Sequence, residues 1–354
     1  MPANPLQKLA ALGQSIWLDY IRRDLITSGN LKKLIMNDNL KGITSNPSIF
    51  EKAIVESDLY KINGKDANAV YEDLTQTDVR DAADEFRDLY NKTNYKDGYV
   101  SLEVNPHLAH DTHGTIIEGR RLWKALARPN VFIKVPATRE GLPAITTLIS
   151  EGININVTLL FGIPRYREVA EAYISGLELR VARGESLKNI ASVASFFVSR
   201  IDTLIDPLLE KKLQGQTAIA SAKIAYQIYL EMINSSRFKK LSAKDAQVQR
   251  LLWASTSTKN PAYSDIKYIE ALIGKETVNT VPIETLDAYR DHGEPKLRIE
   301  EDVDQAHDIF KKLEKHNINI DHLTQQLEDE GVDKFKKAYD ELIATLEKKL
   351  RAEK

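Results

Sequence analysis

Eight short apolar, β-branched segments recur along the chain, and longer amphipathic stretches lie between most of them. They are Ser15–Tyr20, Lys41–Asn46, Gly98–Val104, Val131–Ala137, Ile155–Phe161, Ile190–Ser199, Arg250–Thr256 and Val278–Pro282. The stretches between them include helical patterns over Ala67–Leu89, Thr112–Leu126, Gly141–Ile149 and Pro164–Arg183. Pro164 opens a first turn and Gly184 follows an end, which is the usual helix punctuation. Strand alternating with helix calls for parallel pairing through right-handed crossovers. Eight such units close into a (β/α)8 barrel, the α/β architecture expected here.

An open doubly wound sheet is the runner-up. No G-x-G-x-x-G follows the first strand, and Gly274-Lys275 runs into Glu276 with no upstream phosphate-loop glycine. The tail from Val303 to Lys354 reads as additional helices on the barrel exterior, its charged end from Leu346 a solvated helix face. Without a linker or low-complexity segment, residues 1–354 are expected to form one domain.

Composition narrows the function. The chain has no cysteine, which excludes disulfides, thiolate nucleophiles and cysteine-held metal centres. Its 49 basic and 51 acidic residues nearly cancel, so bulk charge offers no footprint for nucleic acid or an anionic membrane. An anionic substrate would have to be drawn by a few placed cations. No run of about 18 apolar residues occurs, and Met1–Trp17 lacks the pattern of a secretory signal. A soluble cytoplasmic enzyme is the expectation.

The segment Val131-Phe132-Ile133-Lys134-Val135-Pro136-Ala137 carries the most chemical information. Strand side chains alternate faces, so Val131, Ile133 and Val135 share one face, and Phe132 and Lys134 the other. In a barrel the aliphatic face meets the helices and Lys134 points inward. Desolvation disfavours an ammonium, and a neutral amine is the form that attacks a carbonyl. Taken alone, the segment fits a snorkelling or ion-paired structural lysine as well as a nucleophile.

Other strands add polar residues where a core should be apolar. Asp19 follows Ile16-Trp17-Leu18, Glu103 lies between Leu102 and Val104, and Thr44-Ser45-Asn46-Pro47 ends the second segment. Asn156 and Thr158 are two apart and share a face. Such residues at strand C-terminal ends are how barrel enzymes assemble their sites. Carbinolamine formation and C–C cleavage need carboxylates as proton shuttles, and asparagines can hold hydroxyls without adding charge.

The sixth segment ends in Ser195-Phe196-Phe197-Val198-Ser199-Arg200, and the seventh runs into Ser257-Thr258-Lys259. Singly, Arg200 reads as a helix-opening residue paired with Asp202, and Lys259 as a loop cation. On adjacent strand ends the two could clamp a phosphate. His107, His110 and His113 form a tempting trio, but helical spacing rotates the third off the shared face, and no metal site is expected. Trp17, Trp123 and Trp253 read as packing residues.

Taken in order, these pieces resemble the transaldolase family. They are Leu18-Asp19, Gly42-Ile43-Thr44-Ser45-Asn46-Pro47-Ser48, Glu103-Val104, Ile133-Lys134-Val135-Pro136-Ala137, Asn156-Val157-Thr158-Leu159-Leu160-Phe161 and Ser195 through Arg200-Ile201-Asp202. The match runs from about Ser15 to Lys259 and looks most like the subgroup that includes fusions to a phosphoglucose isomerase, a second enzyme for which 354 residues are not expected to leave room. The resemblance implies a cofactor-free pentose-phosphate-pathway transferase. It would move a dihydroxyacetone unit from sedoheptulose 7-phosphate or fructose 6-phosphate to glyceraldehyde 3-phosphate or erythrose 4-phosphate. Lys134 would form the Schiff base, Asp19 would be the acid/base at the C–C bond, and Glu103 with Thr158 would position the catalytic water. Asn46 and Asn156 would hold donor hydroxyls, Phe197 would line the substrate site, and Ser195, Arg200, Ser257 and Lys259 would bind phosphate. The partners implied are sugar phosphates, with a monomer or homodimer both open.

Two positions depart from the family pattern. Lys259 stands where arginine is common, and Asn105 where aspartate is common. Of the alternatives, a fructose-6-phosphate aldolase would resemble this chain but carry glutamine at Glu103 and tyrosine at Phe197. A non-catalytic sugar-phosphate binding protein would leave the inward lysine and carboxylates as costly decorations.

Overall fold

The structure is a computed structural model that describes residues 4–62 and 66–352. All eight expected strands form, as β1 (Gln14–Asp19), β2 (Gly42–Thr44), β3 (Tyr99–Glu103), β4 (Val131–Pro136), β5 (Ile155–Leu160), β6 (Ser192–Phe197), β7 (Arg250–Ala254) and β8 (Thr277–Val281). Each pairs in parallel with its neighbours in sequence, and β8 returns to β1, closing the barrel. The (β/α)8 expectation is met, and the open sheet is not.

The barrel interior is filled in layers, as inward side chains from several strands must be. Trp17, Tyr99 and Phe132 stack together, with centroids 6.1 Å (Trp17–Phe132) and 4.3 Å (Tyr99–Phe132) apart. Each such ring removes about 150–250 Å² from water, on the order of 4–6 kcal/mol of transfer free energy. Gly42 is where β2 passes this stack, since a Cβ there would lie 2.6 Å from the Trp17 ring. Above the rings, Asn156 donates to Ser101 Oγ (3.1 Å) and accepts from Ser195 Oγ (2.6 Å), joining β3, β5 and β6.

Two helical expectations are refined. The pattern over Ala67–Leu89 is two helices, Ala67–Glu85 and Arg87–Lys92, broken at Phe86, whose ring is fully buried. The tail also divides. Helix Val303–Lys315 lies against helix Thr217–Asn234 on the barrel flank. The C-terminal helix Ile320–Ala352 instead contacts the segments that follow β2, β3 and β6, and so crosses the C-terminal end of the barrel. No described helix is long and apolar enough to cross a membrane.

Candidate active site

At the C-terminal end of the strands lies a cavity of about 440 Å³. Nine of the eleven residues singled out from sequence line it: Asp19, Asn46, Lys134, Thr158, Ser195, Phe197, Arg200, Ser257 and Lys259. Glu103 and Asn156 do not. Glu103 stands behind Lys134, and Asn156, in register with Lys134 on the next strand, is fully buried with its amide engaged by Ser101 and Ser195.

The strand alternation puts Lys134 inward, as read. Its side chain is 5% exposed, and Nζ donates to the Ser45 carbonyl at 2.9 Å and lies 3.4 Å from Glu103 Oε2. That ion pair is long for a hydrogen bond. Both Glu103 carboxylate oxygens and Thr158 Oγ1 are buried with no hydrogen-bond partner among the described residues. Burial pushes the Glu103 carboxyl above the usual carboxylate range, while Lys134 pulls it back and Asp19 adds to the rise.

Asp19, at the end of β1, accepts from Thr44 Oγ1 at 2.7 Å, and Thr44 meets Thr280 at 2.6 Å. Burial raises Asp19 too, opposed by Lys134, the Thr44 hydrogen bond, Lys259 and Arg200. Two carboxyls raised by the same cause thus flank one buried lysine. Asn46 caps helix Pro47–Val55 through its side-chain oxygen to the Ile49 N–H (3.0 Å). The amide nitrogen is left for the cavity.

Two backbone irregularities shape the rim. β5 slips register between Val157 and Leu160, with Leu159 at φ +55°, and Ser255 after β7 has φ +54°. Non-glycine residues enter that region at a cost, and such outliers concentrate where side chains are re-aimed.

The alternative weighed for Arg200, a pair with Asp202, does not form. Asp202 turns away, accepting from the Ala218 N–H (2.7 Å) and the Tyr268 hydroxyl (2.8 Å). Among the described residues Arg200 has no ion pair, and its guanidinium lies 5.5 Å from the Phe197 ring centre. Lys259 donates to Ser257 Oγ at 2.6 Å. Partial burial, then Arg200 and Lys334, lowers the Lys259 ammonium, and Arg200, then partial burial and Lys52, lowers that of Lys334. A chain of net charge −2 therefore gathers like charges at this mouth, which an anion would relieve.

Sequence reading missed several contributors. Thr44 had a signal, a polar residue at a strand end, but Thr280 and Lys52 did not stand out. Phe335 comes from the C-terminal helix, is 3% exposed, and places its ring centre 6.0 Å from Lys134 Nζ. The histidine trio disperses. His107 meets Asp340 (2.7 Å) and His110 meets Glu140 (3.2 Å), and all three histidines, with His113, are solvent-facing.

Comparison with known proteins identifies the family. The family model described as "Transaldolase/Fructose-6-phosphate aldolase" matches residues 16–346. The "Transaldolase" of Trichodesmium erythraeum is 48% identical over 375 residues, covering 99% of both chains. The "Transaldolase 2" of a Nostoc species is 46% identical, again over 99% of both, and the "Transaldolase" of Mycolicibacterium smegmatis is 45% identical over the whole of each. The chain belongs to the transaldolase/fructose-6-phosphate aldolase family.

Proposed function

We propose that this enzyme transfers a dihydroxyacetone unit between sugar phosphates, with Lys134 carrying the unit as a Schiff base. The observation that carries the reading is a buried lysine on the cavity wall, 3.4 Å from a carboxylate whose oxygens are otherwise unpartnered. Its amine attacks the donor ketone. A water held between Glu103 and Thr158 would satisfy their orphaned atoms and carry protons during carbinolamine formation and dehydration. Asp19, raised by burial toward working pH, takes the proton of the donor's C4 hydroxyl as the C3–C4 bond breaks. Asn46 holds donor hydroxyls, and Phe197 packs beside the substrate. Asn156 acts by fixing Ser195. Arg200, Ser257 and Lys259 take the phosphate.

Sedoheptulose 7-phosphate and fructose 6-phosphate are the donors, glyceraldehyde 3-phosphate and erythrose 4-phosphate the acceptors. Glu103 and Phe197 favour transfer over aldol cleavage, because the aldolases resembling this chain have glutamine and tyrosine there. The names of the relatives point the same way. A monomer or homodimer would serve, and a cytoplasmic single-domain enzyme fits this role.

Sodium borohydride added with fructose 6-phosphate should trap an adduct on Lys134, readable by peptide mass spectrometry. An adduct elsewhere, or none, would sink the mechanism. Substantial free dihydroxyacetone from fructose 6-phosphate without erythrose 4-phosphate would favour cleavage instead.

A further inference from the structure

We propose that Tyr263 and Tyr268 are positioning residues that brace the loop carrying Lys259 against the segment carrying Arg200, through Asp206 and Asp202. The brace holds two like charges of the phosphate site together before a ligand arrives. This rests on the reading of Arg200 and Lys259 as phosphate ligands. Three observations support it.

The first is that the two cations stand on segments that the barrel does not tie together. β6 and β7 stay joined as far as Ser199 and Ser255, where the Ser199 N–H donates to the Ser255 carbonyl at 3.0 Å and the two hydroxyls meet at 3.0 Å. Beyond that point the chains part. Arg200 enters helix Ser199–Ile205, and Ser255, at φ +54°, turns its chain into the loop that bears Lys259. Partial burial and the charge of Arg200 both disfavour the Lys259 ammonium. Like charges on such segments separate unless something else holds them.

The second is where the side-chain hydrogen bonds between the two segments fall. The Tyr263 hydroxyl donates to Asp206 Oδ2 at 2.7 Å, and the Tyr268 hydroxyl to Asp202 Oδ2 at 2.8 Å. Asp202 lies on the helix that Arg200 enters, and Asp206 on the turn that continues it. Both are buried, and each is fixed through its other oxygen, Asp202 by the Ala218 N–H and Asp206 by the Gly215 N–H, both at 2.7 Å. The acceptors therefore cannot follow a moving loop.

The third is that the loop is stiff within itself. Thr258 Oγ1 donates to the Ser264 carbonyl (2.7 Å), Asn260 Oδ1 accepts from the Ala262 N–H (2.9 Å), and the Tyr263 N–H donates to the Asn260 carbonyl (3.0 Å). Lys259 lies inside this turn, so a shift at Tyr263 reaches it. The Tyr263 ring is itself seated, with Lys267 Nζ 3.6 Å from its centre. Tyr263, Tyr268, Asp202 and Asp206 do not line the cavity, so they act on a ligand only through Arg200 and Lys259.

Tyr263→Phe keeps the ring and removes only the bracing hydroxyl. KM for fructose 6-phosphate and Ki for inorganic phosphate as its competitor should both rise about threefold, with kcat within about twofold of wild type. The dihydroxyacetone concentration that half-saturates borohydride trapping on Lys134 should not move, because that ligand carries no phosphate. Asp206→Asn, whose amide can donate to the Tyr263 oxygen, keeps the brace without the charge and should hold Ki within about twofold. If Tyr263→Phe fails to fold, Tyr268→Phe carries the same test on the second brace. A folded Tyr→Phe variant with wild-type Ki overturns the proposal. So does one in which dihydroxyacetone weakens as much as phosphate, or an Asp206→Asn that matches Tyr263→Phe. Arg200→Met separates the two readings. Wild-type Ki in that variant defeats the phosphate reading itself, whereas a rise of about tenfold there, with Tyr263→Phe inert, defeats only the brace.

Discussion

The two ends of the barrel both bury charge, and they treat it in opposite ways. At the N-terminal end, Arg250 of β7 donates to Ser15 Oγ (2.9 Å), Asp97 Oδ1 (2.9 Å) and the Lys96 carbonyl (2.8 Å). Ser15 in turn donates to Asp97 at 2.7 Å, and the paired side chains are only 6% and 8% exposed. At the C-terminal end, Lys134 and Glu103 are as buried but stand 3.4 Å apart, with the Glu103 oxygens unpartnered and Arg200 in no ion pair among the described residues. A satisfied pair closes the barrel. An unsatisfied set is prepared for a ligand, because the low dielectric that strengthens a good pair makes orphaned groups reactive.

Removing the central charge at each end should break the comparison cleanly. Lys134→Met is expected to lower transfer by about 10⁴-fold or more, since the covalent route disappears. Its thermal unfolding should stay near wild type, because methionine fills the lysine stem. Wild-type turnover in that variant would remove Lys134 from the mechanism. Arg250→Met should do the reverse. It leaves Asp97 buried without its partner and should cost about 3–5 kcal/mol of stability. Denaturant titration measures that loss, and kcat per folded molecule should hardly move. A stable but inactive Arg250→Met would show that the lower layer also serves the chemistry.

The C-terminal end was the more legible in sequence, for a physical reason. Its residues sit at strand ends, where the two-residue period fixes which way a side chain points, so Lys134, Asp19 and Thr158 could be placed inward from their neighbours alone. The same period gives a face but not a depth. Asn156 was read onto the right face, yet Ser101 and Ser195 hold its amide and it does not line the cavity. The N-terminal pair was unreadable because Arg250 and Asp97 are 153 positions apart and neither lies in a local pattern that requires the other. Phe335 was hidden differently. The periodicity of a terminal helix shows an apolar stripe, but not which surface that stripe will cover.

Asp202 sharpens the contrast between carboxylates with and without a cation. Asp97 has an arginine in contact, whereas the buried Asp202 takes its hydrogen bonds from an N–H and a hydroxyl and feels the Lys267 ammonium only from beyond contact. Burial pushes its carboxyl up to about 6 from 3.8. In the folded protein it therefore keeps its proton where the unfolded chain has lost it. Its stabilising contribution is full below pH about 4 and fades as pH rises through about 6. A rise of that size corresponds to about 3 kcal/mol. Unfolding free energies of wild type minus Asp202→Asn should fall by roughly that amount between pH 4 and 7. A difference that stays flat across this window would mean that Asp202 is ionised throughout.

The smallest expected effect lies at the proposed phosphate site, where the open end is least tightly specified. Lys259 reaches the cavity as a point charge resting on Ser257 Oγ, with Arg200 and Lys334 as like-charged neighbours. A guanidinium in its place could present two parallel N–H donors to phosphate oxygens, and its charge is more weakly hydrated. Lys259→Arg should therefore lower KM for phosphorylated donors about two- to fivefold, an affinity gain of about 0.4–1 kcal/mol. kcat should be unchanged, because the contact is made equally in ground and transition states. The same substitution should leave KM for unphosphorylated dihydroxyacetone untouched. If KM falls equally for both, the gain comes from the cavity's general charge, and Lys259 has no specific hold on the phosphate.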